Sequence, residues 1–158
     1  MPPAALTHDR LLAFLRRSRL CVEASVSPSG APQAAVVGFA VTETLEFIFD
    51  TLASTRKLAN LRANPRTSLV VGWGEGDDER TVQLEGLADE PAGLELARLT
   101  EVYYRVFPDG RARLGWPGLT YVRVRPTWLR YSDFRPDSQC VLELDEAGLA
   151  QLKSDGGR

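Results

Sequence analysis

The feature that most limits how this chain can fold is the way its apolar runs are joined. Six runs of strand length, at residues 20–27, 33–41, 45–49, 67–73, 80–88 and 119–131, are rich in β-branched, aromatic or alternating apolar residues. The first two are joined by Ser27-Pro28-Ser29-Gly30, and the second and third by Thr42-Glu43-Thr44. Connections this short reverse the chain, because a parallel neighbour needs a crossover of about a dozen residues or more. An antiparallel sheet follows, and six such strands can close into a barrel. Gly86 marks a bulge in the fifth run, and Pro126 bends the sixth. Residues 141–144 are expected to add a short edge strand, and the tail from Ser154 to fray.

Three helices complete the pattern, so the fold class is mainly β, of the α+β kind. The first covers residues 7–17, with Thr7 as its cap and Leu11, Leu12, Phe14 and Leu15 on one face. The second is short and ends at Asn64-Pro65. The third covers residues 91–106, with Leu94, Leu96, Leu99, Val102, Tyr103 and Val106 in helical spacing. The 158 residues predict one domain, 1–158, which at this size buries roughly 70% of its unfolded surface.

Residues 45–65 carry the chemistry. The strand at 45–49 stops at Asp50-Thr51, and a loop leads through Ser54 and Thr55 into Arg56-Lys57 at the start of the second helix. Helix N-termini present unpaired N–H groups and a positive dipole end. Two adjacent cations there are unfavourable unless an anion sits beside them, so the stretch reads as an anion cradle. Thr51, Ser54 and Thr55 can cap the helix and still belong to it, since both roles use the same N–H cluster.

Several classes are excluded by counting. Net charge −2 argues against a protein that coats nucleic acid. Cys21 and Cys140 stand far apart and His8 is the only histidine, so no zinc-ligand spacing exists. His8 has no partner nearby in sequence and is expected to be solvated. No apolar run approaches the ~20 residues of a membrane span, and the N-terminus lacks a basic-then-apolar signal, so a cytoplasmic location is expected. Gly72, Gly74 and Gly76 do not form a nucleotide loop, because no helix follows and Asp77, Asp78 and Glu79 would repel a pyrophosphate. Arg123 and Arg125 share one face of the sixth strand and are expected to be exposed.

An antiparallel barrel carrying Phe49-Asp50-Thr51, then Thr55-Arg56-Lys57, then Asn60-Leu61 and Asn64-Pro65, resembles the pyridoxamine 5′-phosphate oxidase-like flavoproteins with a split β-barrel. Ser29-Gly30, Pro32-Gln33, the Gly86 strand and the strand from Arg125-Pro126 to Tyr131 fall in the family's order. The resemblance spans a core at about residues 6–133 and leaves 134–158 as a C-terminal extension. It implies a homodimer with FMN in a groove between subunits, acting by flavin-mediated hydride transfer on a small molecule. Thr51, Thr55, Arg56 and Lys57 match phosphate and ribityl contacts. Val36 and Val37 match the strand whose backbone faces the flavin ring, and Thr81 with Gln83 match polar contacts from the fifth strand. Tyr131 matches the region where a partner's aromatic residue approaches the cofactor.

Two departures narrow that implication. Ala35 and Ala40 stand where the family's vitamin oxidase carries basic residues, and Ser132-Asp133-Phe134-Arg135 follows Tyr131 with no Arg-x-His-x-Arg signature. The resemblance is therefore to a member of unassigned substrate rather than to a true pyridoxamine phosphate oxidase. The deazaflavin coenzyme F-420 is an alternative cofactor on the same fold. A non-catalytic flavin- or haem-binding stress or sensor protein is a third reading, with little support for haem from one histidine. Trp116, in a Gly-Trp-Pro-Gly loop, is the candidate to line a substrate pocket. No residue stands out as a general acid or base, which suits chemistry carried by a cofactor.

Overall fold

The computed structural model describes residues 6–72 and 78–156. Its strands are β1 (Leu20–Val26), β2 (Pro32–Val41), β3 (Phe47–Leu52), β4 (Arg66–Gly72), β5 (Arg80–Asp89), β6 (Leu119–Asp133) and β7 (Cys140–Leu144). All pairings are antiparallel, in the order β3-β2-β1-β4-β5-β6-β7, and β3 also pairs with β6. That last pairing closes six strands into a barrel and leaves β7 outside it. The helices are α1 (His8–Arg17), α2 (Arg56–Ala63), α3 (Gly93–Val106) and α4 (Glu146–Gly156), with a 3-10 segment at Pro108–Arg113.

Alternation sorts the strand residues into two environments. Leu69, Val71, Val82, Leu84, Phe47, Phe49, Val122, Val124 and Leu129 face the barrel interior and are fully buried. Each such side chain contributes roughly 1.5–3 kcal/mol of transfer free energy. Helix α1 adds Leu11, Leu12, Phe14 and Leu15 to this core, and α2 adds Leu58 and Leu61. A second cluster lies on the outside of the barrel. There α3 lays Leu99, Tyr103 and Tyr104 against Ala40, Ile48 and Tyr121. Among the described residues, nothing comparable covers the outward face of β1, β4 and neighbouring parts of β2 and β5, and Leu20, Val26, Val36 and Leu87 are exposed on it.

The predicted turn after β1 forms, with Gly30 N–H donating to the Ser27 carbonyl at 2.8 Å and Gly30 at φ 86°. The bulge also forms, as a register shift between Glu85 and Gly86 opposite β6. A Cβ on Gly86 would lie 2.7 Å from the Arg125 carbonyl oxygen and 2.8 Å from Val124 Cγ1. Gly86→Ala is therefore expected to cost about 1–3 kcal/mol, read as a lower denaturant midpoint.

Four expectations need correction. Leu45 is not a strand residue; it takes φ 61° in the turn before β3, and the strand runs on through Asp50 and Thr51. The tail does not fray at Ser154, because α4 continues to Gly156 and buries Leu149 in the core. Asp145 opens that helix by accepting from the Gly148 N–H at 2.9 Å. His8 is buried, with Nε2 donating to the Glu43 carbonyl at 2.7 Å, because α1 packs it against the β2–β3 turn. Arg123 is also buried, held by Asp89, Glu46 and Glu95 at 2.6–3.1 Å. Gly74, Gly76 and Trp73 lie outside the described residues.

Candidate functional site: the cradle at the start of α2

Strand β3 delivers Thr51 to the barrel rim, and a three-residue turn delivers Thr55 to the start of α2. Thr55 is the N-cap, and its hydroxyl accepts from the Leu58 N–H at 3.3 Å. The same hydroxyl donates to the Leu52 carbonyl at 2.9 Å. Its hydrogen is thereby used, so in the 3.1 Å contact between the two threonines Thr51 is the donor. Lys57 Nζ in turn donates to Thr51 at 3.4 Å. A directed chain therefore runs from the ammonium through two hydroxyls to a backbone carbonyl, and it fixes Lys57 beside the helix start.

Arg56 is held from the other side. Its Nε donates to Gln33 Oε1 at 3.1 Å, and Asn60 Nδ2 donates to the same oxygen at 2.9 Å and to Ser25 at 3.2 Å. Asn60 is buried and so pins Gln33 on β2. Among the described residues, the backbone N–H groups of Arg56 and Lys57 have no acceptor and neither side chain is in an ion pair. The first turn of α2 also has no acidic residue. Free N–H groups, a helix dipole and two cations outside any ion pair thus converge on one point. A cavity of about 270 Å³ opens there, lined by Arg56, Lys57, Thr55, Gln33, Ala35 and Glu23.

Glu23 is the site residue the sequence reading did not single out. It lies on the inward face of β1, 1% exposed. Burial pushes its carboxyl above the ordinary range, against opposing contributions from the Thr67 hydrogen bond and the Lys57 charge. The only sequence signal is an acid inside the alternating Cys21-Val22-Glu23-Ala24-Ser25 run, at a position of inward parity. Cys21, two residues along, is buried, and its thiol is pushed up to about 12, mainly by that burial.

The other expected positions are distributed as follows. Val36 is 61% exposed on the outward face of β2, whereas Val37 points into the core. Cross-strand register places Val36, Val22, Val70 and Gln83 in one outward row, continued by Arg130 on β6. Thr81 shares that face of β5 and pairs with Gly72 and Ser132. Tyr131 does not join them. Its ring is buried edge-to-face against Phe14 at 5.9 Å, inside its own barrel. Trp116 is exposed in a loop tied to the β3–α2 turn by the 2.7 Å bond from Ala53 N–H to the Gly118 carbonyl. Ala40 lies under α3, where a cation would be buried among tyrosines, whereas Ala35 lines the cavity.

Residues 7–133 match the pyridoxamine 5′-phosphate oxidase family. A pyridoxine/pyridoxamine 5′-phosphate oxidase of Rubrobacter xylanophilus is 32% identical over 108 residues, which is 68% of this chain and 47% of that protein. The chain thus spans about half the length of that relative. Among solved structures, a heme binding protein from Mycobacterium smegmatis superimposes with a TM-score of 0.78 at 17% identity, covering 96% of this chain and 62% of the other. A pyridoxamine 5′-phosphate oxidase-related, FMN binding protein from Nostoc punctiforme gives 0.67 at 15% identity, covering 87% of each chain. These likenesses share the barrel fold. With the ordered strand-turn-helix residues and the match over most of its length, the chain belongs to the pyridoxamine 5′-phosphate oxidase family.

Proposed function

We propose that this protein binds FMN at the α2 cradle and acts as an oxidoreductase on a small molecule. The observation that carries the reading is the set of unpaired N–H groups of Arg56 and Lys57 with their two side chains at the mouth of a 270 Å³ cavity. A phosphate monoester satisfies that donor set, which is what a flavin mononucleotide tail presents. The exposed strip of β2 around Val36 runs from this cavity along the barrel and offers flat backbone to a ring system. When bound, the flavin would accept or donate a hydride. The residues of this chain supply position and charge: Lys57 and Arg56 neutralise the phosphate, Gln33 and Asn60 hold Arg56, and Thr51 and Thr55 hold Lys57.

A homodimer belongs to the same proposal. The outward face carries Leu20, Val22, Val36 and Val70, and Arg130 Nε on that side is a buried atom that finds no hydrogen-bond partner among the described residues. A second copy laid on this face would bury the apolar row and add a wall to the flavin groove. Substrate identity is left open by Ala35, which removes a charge from the cavity edge. Haem has no imidazole available in this chain, because the His8 ring is committed to the Glu43 carbonyl.

The test is to purify the full chain, record its visible spectrum, and titrate it with FMN and with coenzyme F-420. A yellow protein, or saturable FMN binding at micromolar protein, is expected, followed by NADPH oxidation on the reconstituted protein. Saturable binding of F-420 alone would move the proposal to a deazaflavin-dependent reductase. Binding of neither would overturn it.

A further inference from the structure

The cavity that holds the two cations also holds a buried acid, an arrangement that a simple phosphate site does not need. Glu23 lies on β1 with its carboxyl facing the same space as Arg56 and Lys57. The charged or titratable groups around it are Lys57 and Arg56 from α2 and Cys21 from β1 itself; β1 also contributes the Ser25 hydroxyl, which hydrogen-bonds the carboxyl, β2 contributes Gln33 and Ala35, and β4 contributes Thr67. Thr67 shows which form of Glu23 the pocket accommodates. Its hydroxyl oxygen is 3.0 Å from Glu23 Oε1 and 3.0 Å from the Ala24 carbonyl. One hydroxyl hydrogen serves one of these acceptors. A proton on Glu23 completes both contacts, with Glu23 donating to Thr67 and Thr67 donating to Ala24.

We infer that Glu23 takes up one proton from solvent when an anionic group enters the cavity, so that anion binding at the cradle is coupled to protonation of this carboxylate. The inference rests on the proposed phosphate site. In the empty cavity, the Lys57 charge and the Thr67 and Ser25 hydroxyls favour ionised Glu23 while burial opposes it. An anion held at the cradle cancels the Lys57 pull and adds repulsion, so the carboxylate becomes the acid and keeps its contact with Thr67. Between the two titration points, affinity falls by up to about tenfold per pH unit as pH rises. The partner chemistry is a phosphate or sulfate ester, and Glu23 sets the pH range over which it is held.

Inorganic sulfate is the probe for this coupling, because it does not titrate in the working range. Its stabilisation of the full chain against heat is measured from pH 5.5 to 8.5 for the wild type and Glu23→Gln. The wild type is expected to respond strongly at low pH and weakly at high pH. The variant is expected to respond equally throughout, and more strongly than the wild type at pH 8.5. Equal pH slopes in the two proteins, or a variant weakened at every pH, would overturn the coupling. Should the variant fail to fold, the carbon-13 titration of the Glu23 carboxyl in the wild type decides. Its midpoint must move up with sulfate, and an unmoved midpoint overturns the inference. FMN fluorescence quenching on the same samples separates the two claims. FMN binding with equal slopes sinks the proton coupling alone. A pH-dependent sulfate response without FMN binding supports the coupling and overturns the flavin reading. No response to either probe overturns both.

Discussion

Lys57→Ala is expected to weaken FMN binding by about 10- to 100-fold, the loss of one charge-assisted contact of about 1.5–3 kcal/mol. The melting temperature should move little, because among the described residues the ammonium makes one long hydrogen bond, to Thr51 at 3.4 Å, and no ion pair, its charge reaching Glu23 only through space. That separation distinguishes a ligand contact from a structural one. Arg56→Ala should weaken binding less sharply than its charge suggests. Gln33 stays in place without it, because Asn60 still donates to its Oε1 at 2.9 Å. Flavin fluorescence quenching at low ionic strength gives the affinity, and rising salt should narrow the gap between wild type and variant. An unchanged affinity in Lys57→Ala would place the phosphate elsewhere.

The second large effect is on stability. Arg123 threads between β3, β5 and α3, reaching Asp89, Glu46 and Glu95, and Arg98 joins the network through Glu46 and Glu95. Its side chain is 10% exposed, whereas Asp89 is 35% and Glu95 52% exposed. Arg123→Met removes the charge, keeps much of the length, and leaves Glu46 and Glu95 to Arg98 and Asp89 to the longer 3.6 Å contact with Arg125. The expected cost is about 2–4 kcal/mol, below that of a fully buried pair because water reaches two of the partners. For a chain of this size that is a drop of roughly 5–12 °C in melting temperature.

The pH dependence of that loss follows from the same contacts. The Arg123 hydrogen bond holds the Asp89 carboxyl below its ordinary range. Burial pushes Glu46 up, but its bonds from Arg98, Thr44 and Arg123 outweigh it and leave it lowered. Carboxylates depressed in the folded state contribute stability above their unfolded values and lose it as pH falls through the folded ones. The gap between wild type and Arg123→Met should therefore be widest above about pH 5 and close below about pH 4. Thermal melts across that range check it, and a gap independent of pH would show that packing alone is responsible.

The antiparallel barrel was legible because short turns and period-2 alternation are local signals. Ser27-Pro28-Ser29-Gly30 and Gly86 encode their turn and bulge in a few residues, and both form. The barrel's closure through β3 and β6 pairs residues about 70 apart in sequence and has no local mark. Likewise, Arg123 has the polarity and alternation of an exposed strand residue. Its burial depends on Asp89, Glu46 and Glu95, which arrive from three other segments. His8 was misread for the same reason, since its partner is a backbone carbonyl 35 residues away. Helix α4 was missed because Gly148 and Gly156 weaken its helical pattern, although Asp145 supplies a start signal.

The cradle was legible in part. Thr51, Thr55, Arg56 and Lys57 lie within seven residues, so their meeting is a matter of local geometry. Gln33 and Glu23 complete the cavity from β2 and β1, and Asn60 on α2 holds Gln33 in place. Only Asn60 belongs to the cradle stretch, and Glu23 looked like one polar residue in an alternating strand. Tyr131 stands apart from the cradle residues. Parity on β6 turns its ring into the barrel against Phe14.

On the proposed function, this chain recognises a flavin through its phosphate. The direct measurement compares the affinity of the full chain for FMN and for riboflavin, which lacks that group, under identical salt and pH. FMN should bind at least about tenfold more tightly, as loss of charge-assisted contacts at the α2 start requires, and the ratio should collapse toward unity in Lys57→Ala. Equal affinities in the wild type would contradict the claim.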